Sequence, residues 1–340
     1  MSTIRDVAKQ AEVSTATVSR VLNNDLKYKI TEETRQRVLD TAKALGYELP
    51  PASSKPASSI QNKSKIGCIL RLTKKKFNDP YYMSILSSAE DRLREKGYEI
   101  SFIRNTSELE DRSSLKALLQ EPVSGIILMD ELDDESYNYI RSRGISVVGI
   151  DTSRADIDNV GYDRYGIALE GTQLLIREGH KKIGFIGGRG RADVIKGSQR
   201  FRGFQSAMYE AGLPVYDKWV IDCDWDEDIC AQKVDELCHT GDYPTAFFVS
   251  SDLMAMAALN RFYNNHIKVP NDVSIISVTD IEIAKYANPP LTTFRIPTDD
   301  IGCVAADKLV ERINGYNLLP RKIILPTTLI RRGTTKLGDE

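Results

Sequence analysis

From residue 66 to residue 278, short runs of aliphatic residues alternate with longer segments whose apolar positions recur every three or four residues, and the alternation occurs twice. Residues 66–72, 100–103, 126–129 and 147–150 form one series of runs. Residues 183–186, 220–221, 246–249 and 273–278 form the second. Runs this short and this apolar are strands buried on both faces of a sheet, and segments such as the one carrying Ile85, Leu86, Ala89 and Leu93 are helical crossovers between parallel strands. Two series in one chain predict a two-lobed α/β body with a parallel sheet in each lobe.

The first fifty residues follow a different pattern. Ile4, Val7, Ala8 and Ala11 line one stripe of a short helix whose start is marked by Thr3 and Asp6. Ser14 is an N-cap for a second helix, with Val18, Val21 and Leu22 turned inward and Thr15, Ala16, Ser19 and Arg20 turned outward. Two short helices joined by a tight turn, the second with small polar residues at its exposed N-terminus, form a DNA-reading helix-turn-helix. A third helix, capped by Thr31 and carrying Val38, Ala42 and Leu45, closes a small all-α headpiece and ends at Gly46 and Tyr47. The chain as a whole has a formal charge of -2, yet through residue 65 eleven Lys and Arg oppose seven Asp and Glu. The positive excess sits where phosphates would be met.

The segments Asp6-Val7-Ala8, Val13-Ser14 and Thr17-Val18-Ser19-Arg20-Val21-Leu22-Asn23 resemble the N-terminus of the LacI/GalR family of transcriptional regulators. The resemblance continues at residues 177–188, 200–204, 244–249, 269–278 and 289–293. Residues 78–82, 279–281 and 332–335 look most like the galactose and evolved β-galactosidase repressors within it. It implies a headpiece over 1–49, a linker over 50–64, and an effector-binding and dimerisation core over 65–340. The core is of the type I periplasmic-binding-protein kind, with lobe 1 at about 65–163 and 295–325, lobe 2 at about 164–294 and 326–337, and crossings near 162–166, 293–296 and 325–328. The implied function is a cytoplasmic, homodimeric repressor, not an enzyme, acting on a pseudo-palindromic operator and controlled by a small carbohydrate, galactose or a galactoside. A purine-type corepressor-dependent repressor, a catabolite regulator, and a carbohydrate-binding protein without DNA function are the rival readings. The family's minor-groove wedge has no counterpart in the linker: Pro56 stands near its position, Lys55 beside it, and Ile60 is the nearest large apolar residue.

On the DNA side the candidates are Thr3, Ser14, Thr15, Ala16, Thr17, Ser19, Arg20, Asn23 and Lys55. A sugar needs hydrogen-bond partners for its hydroxyls and a flat apolar wall, and in two-lobed α/β proteins it finds them at the carboxyl ends of strands. Asp151 follows the run at 147–150 and Asp163 lies at the first crossing, although both also suit strand-end turns. Arg200 matches the family's ligand arginine by motif. Tyr81, Tyr82 and Trp225 are candidate walls. Ser251 and Asp252 stand where the family often has Asn-Asp, and Thr279 where many members carry Asp, with Asp280 next to it. No cofactor or metal is expected, since Cys68, Cys223, Cys230, Cys238 and Cys303 lack ligand spacing and His180, His239 and His266 are scattered. Gly187-Gly-Arg-Gly190 reads as a strand-to-helix turn, and the N-terminus has no signal-peptide pattern. No apolar run approaches the ~20 residues of a membrane span.

Overall fold

The computed structural model describes residues 4–22, 30–45, 65–70, 79–106, 109, 112–129, 131–189, 194–316 and 318–336. The chain divides into two compact units, Met1–Asn62 and Lys63–Glu340. The linker with Lys55, Pro56 and Ile60, the basic triplet at 74–76, and Gly46 with Tyr47 lie outside the described residues.

In the first unit, α1 (Ile4–Gln10), α2 (Thr15–Leu22) and α3 (Glu32–Ala44) enclose a core of Val7, Ala8, Ala11, Val18, Val21, Val38 and Ala42. The caps are those the sequence implies: Ser14 Oγ accepts from Thr17 N at 3.1 Å and Thr31 Oγ1 from Thr34 N at 3.3 Å. Each side chain satisfies one of the four amides that a helix start leaves unpaired. Between α1 and α2 the chain reverses through Glu12 at φ 53, and Arg37 of α3 donates from Nε to the Ala11 carbonyl at 3.1 Å.

The second unit is built on two six-stranded sheets. Strands β1 (Lys65–Leu70), β2 (Glu99–Asn105), β3 (Gly125–Met129), β4 (Ser146–Ile150), β5 (Asp158–Tyr162) and β11 (Lys322–Leu325) make the sheet of lobe 1, in the order β11-β5-β4-β3-β1-β2. Lobe 2 holds β6 (Ile183–Gly187), β7 (Val220–Asp222), β8 (Ala246–Val249), β9 (Ser274–Thr279), β10 (Thr292–Arg295) and β12 (Thr328–Ile330), in the order β12-β10-β9-β8-β6-β7. All pairings are parallel except β10 with β12. The chain passes between the sheets after β5, after β10, and between β11 and β12.

Helices cover the sheets. In lobe 1, α4 (Pro80–Glu95) starts with Asp79 as cap and proline in its first position, and it packs on α11 (Thr298–Ile313). That contact is close because Gly302 has no side chain: a Cβ there would lie 2.2 Å from Ser88 Oγ and 2.4 Å from the Ile85 carbonyl. In lobe 2, α7 (Arg164–Arg177) packs on α8 (Gln199–Glu210), and a Cβ at Gly203 would fall 2.2 Å from the Tyr165 carbonyl. α9 (Glu227–His239) and α10 (Asp252–Asn264) cover the other face.

Strand β5 is not among the eight apolar runs of the sequence. It opens with Asp158 and Asn159, both buried, and each is fully occupied: Asp158 takes Arg312 Nε at 2.7 Å and Arg321 N at 2.8 Å, while Asn159 Nδ2 donates to the Thr152 carbonyl at 3.0 Å. Polar side chains enter a sheet interior when partners from distant segments replace water, and such partners leave no local pattern. Strands β10 to β12 escape the same reading because Thr, Arg or Lys takes up part of each short run.

Candidate functional site

The exposed N-terminal face of α2 presents Ser14 and Thr15, with Thr17 half-buried beside them and Ser14 Oγ 2.9 Å from Thr17 Oγ1. Val18 and Val21 face inward, so the small polar residues are left for solvent or for a base edge. The side chains of Ala16, Ser19 and Arg20, and Thr3, Asn23 and Lys55 altogether, fall outside the described residues.

The effector candidates gather at the carboxyl ends of strands, around the first passage between lobes. Asp151 follows β4 in a left-handed conformation, φ 58, and lies over Gly161, where a Cβ would stand 2.5 Å from its Oδ1. Its Oδ2 accepts from Tyr81 O–H at 2.5 Å and forms an ion pair with Arg164 Nη2 at 2.8 Å. Burial, reinforced by the Asp151 charge, pushes the Tyr81 hydroxyl well above the usual phenol range. Burial opposes the charge on Arg164, but Asp151 more than compensates and holds the guanidinium protonated. Tyr81, Tyr82, Met129, Ile150, Asp151 and Arg164 enclose a cavity of about 20 Å³, room for about one water.

Across the passage stands Arg200, the second residue of α8. Its Nη2 donates to the Tyr162 hydroxyl, and its Cζ lies 5.7 Å from the Tyr162 ring centre and 5.2 Å from that of Trp225. Arg200 Nε is buried with no hydrogen-bond partner among the described residues. A guanidinium N–H in that state is a donor waiting for an acceptor, since leaving it unpaired costs roughly 1–3 kcal/mol. Burial raises the Tyr162 hydroxyl above its usual range, and Arg200 partly offsets this. Trp225 is fixed by Asp224 and its own left-handed backbone, φ 47 and φ 58, and by donation from Nε1 to the Arg189 carbonyl at 3.1 Å. Gly188 lies against the indole, with a Cβ position 2.3 Å from Trp225 Cδ1. The arrangement offers a flat aromatic wall, a cation and hydroxyl donors, which suits recognition of a hydroxylated ring.

Tyr81, Tyr82, Asp151, Arg200 and Trp225 are thus brought to one region, together with Tyr162 and Arg164, which the sequence reading missed. The signal for both was available in their flanking position: they are the last residue of β5 and the first of α7, on either side of Asp163.

The other acids have partners of their own. Asp252 is fully buried; Oδ1 accepts from Ser277 Oγ and Thr293 Oγ1, both at 2.6 Å, and Oδ2 from Ile281 N at 2.9 Å. This carboxylate ties α10 to β9 and β10, and burial raises its pKa although those hydrogen bonds pull it down. Asp280 is spent on Arg295 Nε at 2.7 Å and Arg332 Nη2 at 2.6 Å. Asp163 caps α7, taking Gly166 N at 2.8 Å, and Ser251 caps α10, taking Met254 N at 3.3 Å. Thr279 has φ 135, a strained backbone for a β-branched residue, and its hydroxyl donates to the Val278 carbonyl. Among the described residues no group of three or more His, Cys, Asp or Glu is placed to hold a metal ion, and no helix is long and apolar enough to cross a membrane.

The comparisons with known proteins agree with these two units. Residues 3–49 match the model for bacterial regulatory proteins of the lacI family, and residues 172–335 match a periplasmic binding protein-like domain. The HTH-type transcriptional repressor MelR of Bacillus subtilis (strain 168) is 32% identical, over 98% of this chain and 97% of its own. The HTH-type transcriptional repressor PurR of Actinobacillus pleuropneumoniae serotype 3 (strain JL03) is 31% identical, over 92% of this chain and 91% of its own. Among solved structures, the transcriptional regulator CelR–cellobiose complex superposes with a TM-score of 0.72 at 28% identity, covering 98% of this chain and 100% of that one. The lac repressor dimer bound to operator and an anti-inducer shares the fold, with a TM-score of 0.69 at 23% identity, covering 98% and 99%. The chain belongs to the lacI family: it is a DNA-binding transcriptional repressor under the control of a small effector, and not an enzyme.

Proposed function

We propose that the effector is a small carbohydrate, galactose or a galactoside, bound between Trp225 and the Arg200–Tyr162 pair. The observation that carries this reading is Arg200 itself: a cation between two aromatic rings whose Nε has no acceptor among the described residues. A ring with adjacent hydroxyls supplies two acceptors to that planar fork and stacks its C–H face on the indole. The structural neighbour solved with cellobiose supports the class of ligand.

The protein acts, in this reading, as a cytoplasmic homodimer on a pseudo-palindromic operator. The headpiece over 1–49 reads bases through Thr15, Ala16 and Arg20, with Thr3, Ser14, Thr17, Ser19, Asn23 and, from the linker, Lys55 as further contacts to the DNA. Sugar binding moves the lobes about the three crossings and lowers operator affinity. The test uses a duplex recovered by selection from random sequence, titrated with and without galactose, melibiose, lactose, cellobiose and hypoxanthine. Release by a galactoside is expected, and Arg200→Ala should bind the duplex normally yet resist release at every sugar concentration. Tighter binding with hypoxanthine would replace the carbohydrate reading with a purine one.

A further inference from the structure

Asp151 is gripped from both sides of the first crossing. Tyr81 belongs to α4, which packs on α11 in lobe 1; Arg164 opens α7, which packs on α8 and β8 in lobe 2. Tyr81 donates to one carboxylate oxygen at 2.5 Å, Arg164 forms an ion pair with the same oxygen at 2.8 Å, and Arg164 Nη2 donates to the Asp151 carbonyl at 3.3 Å. The Tyr81 and Tyr162 rings meet edge-on at 6.5 Å, and the Tyr162 hydroxyl accepts from Arg200. The groups facing Asp151 are therefore Tyr81 from α4, Tyr162 from β5, Arg164 from α7 and, through Tyr162, Arg200 from α8. Among the described residues Arg164 is its one cationic contact, and the side chains of Asp151 and Arg164 are only 11% and 28% exposed. A carboxylate so enclosed needs a cation and hydrogen bonds in place of its water.

We propose that Arg164 is a positioning residue for effector recognition: it holds Asp151 as a clasp between the lobes, which an effector opens by supplying hydroxyl donors in place of Tyr81 and Arg164. This rests on the reading of the cleft as a carbohydrate site. Free acids elsewhere in the cleft are few, because Asp252 and Asp280 are consumed within lobe 2, so Asp151 is the acceptor an entering hydroxyl has to win. Arg164 sets how hard that is.

The clasp has a signature that mere packing lacks. Removing the Arg164 charge leaves a nearly enclosed carboxylate without its cation, and an unpaired enclosed charge destabilises the fold where a neutral group does not. The loss in R164Q therefore grows as pH rises and disappears when Asn replaces Asp151.

The experiment uses the full chain as R164Q, R164K, D151N and R164Q/D151N. Without ligand, thermal midpoints between pH 5 and pH 8 should show R164Q losing stability relative to the parent as pH rises, with the slope abolished in R164Q/D151N and absent from R164K. Other titrating groups are common to all the variants and cancel in the differences. With galactose and melibiose as probes, read by tryptophan fluorescence at pH 7.5, the half-saturating concentration should change about tenfold or more in R164Q. Parallel pH profiles for R164Q and R164Q/D151N would overturn the clasp. An intact pH signature with unchanged sugar affinity would overturn its part in recognition. Failure of the parent to respond to either sugar would overturn the carbohydrate reading, while the pH cycle would still decide whether the clasp exists.

Discussion

Asp280 and Arg332 meet at 2.6 Å, which joins the turn after β9 to the segment that follows β12; Arg295 closes on the other carboxylate oxygen at 2.7 Å. The Asp280 side chain is 5% exposed. An acid beside the strained Thr279 at the mouth of a cleft invites a ligand role, but two arginines already take its oxygens. Asp280→Asn should therefore cost stability, about 1.5–3 kcal/mol from a charged hydrogen bond and an uncompensated arginine. Urea denaturation of the parent and the variant measures it. A variant of parental stability that has lost effector binding would restore Asp280 to the ligand set.

The wall of the site depends on Gly188. A methyl group there would stand 2.3 Å from the Trp225 ring, so Gly188→Ala has to push the indole away from Arg200. We expect a red shift and easier acrylamide quenching of tryptophan emission, with an overpacking penalty of about 1–3 kcal/mol. Unchanged emission would show that the loop absorbs the methyl group elsewhere.

His180 couples pH to stability. It is buried, with Nδ1 2.9 Å from Thr245 Oγ1 and Nε2 3.1 Å from Ser274 Oγ, and burial, then the positive charge of Lys336, lowers its pKa below 6.5. The unfolded chain thus binds a proton at a pH where the folded one does not. Stability from this site is complete above the unfolded pKa and is lost as pH falls toward the depressed folded value. Thermal midpoints should drop between pH 7 and pH 5, and the drop should be smaller in His180→Gln. Equal slopes would place the acid sensitivity in another group.

In the headpiece, Ser14 Oγ caps α2 at the Thr17 amide. Ser14→Ala should destabilise the first unit by about 1 kcal/mol, measured by hydrogen exchange of the α2 amides while those of the core helices stay protected. Uniform exchange in parent and variant would mean that water replaces the cap without loss.

Local signals carried much of this protein. The stripe of Val7, Ala8 and Ala11, the caps at Ser14 and Thr31, and the apolar runs from β1 to β4 and from β6 to β9 were legible because each element's periodicity and end chemistry lie within a few residues of one another, although β2, at the sheet edge, is half-exposed and not buried on both faces. Asp151 and Arg200 were legible as candidates, since a strand end and a family motif mark them.

How each candidate acid is occupied was decided only in three dimensions. Asp151, Asp163, Asp252 and Asp280 are equivalent in sequence, each a carboxylate at the edge of an element. They differ through partners 13 to 70 residues away or, for Asp163, through a local cap: Arg164 and Tyr81 for Asp151, Ser277 and Thr293 for Asp252, Arg295 and Arg332 for Asp280. The same holds for β5, where Arg312 reaches Asp158 across 154 positions and makes a polar strand buriable. Burying a charge is costly alone and tolerable when paired, and the pairing partner is supplied by the fold, which a window of neighbouring residues does not contain.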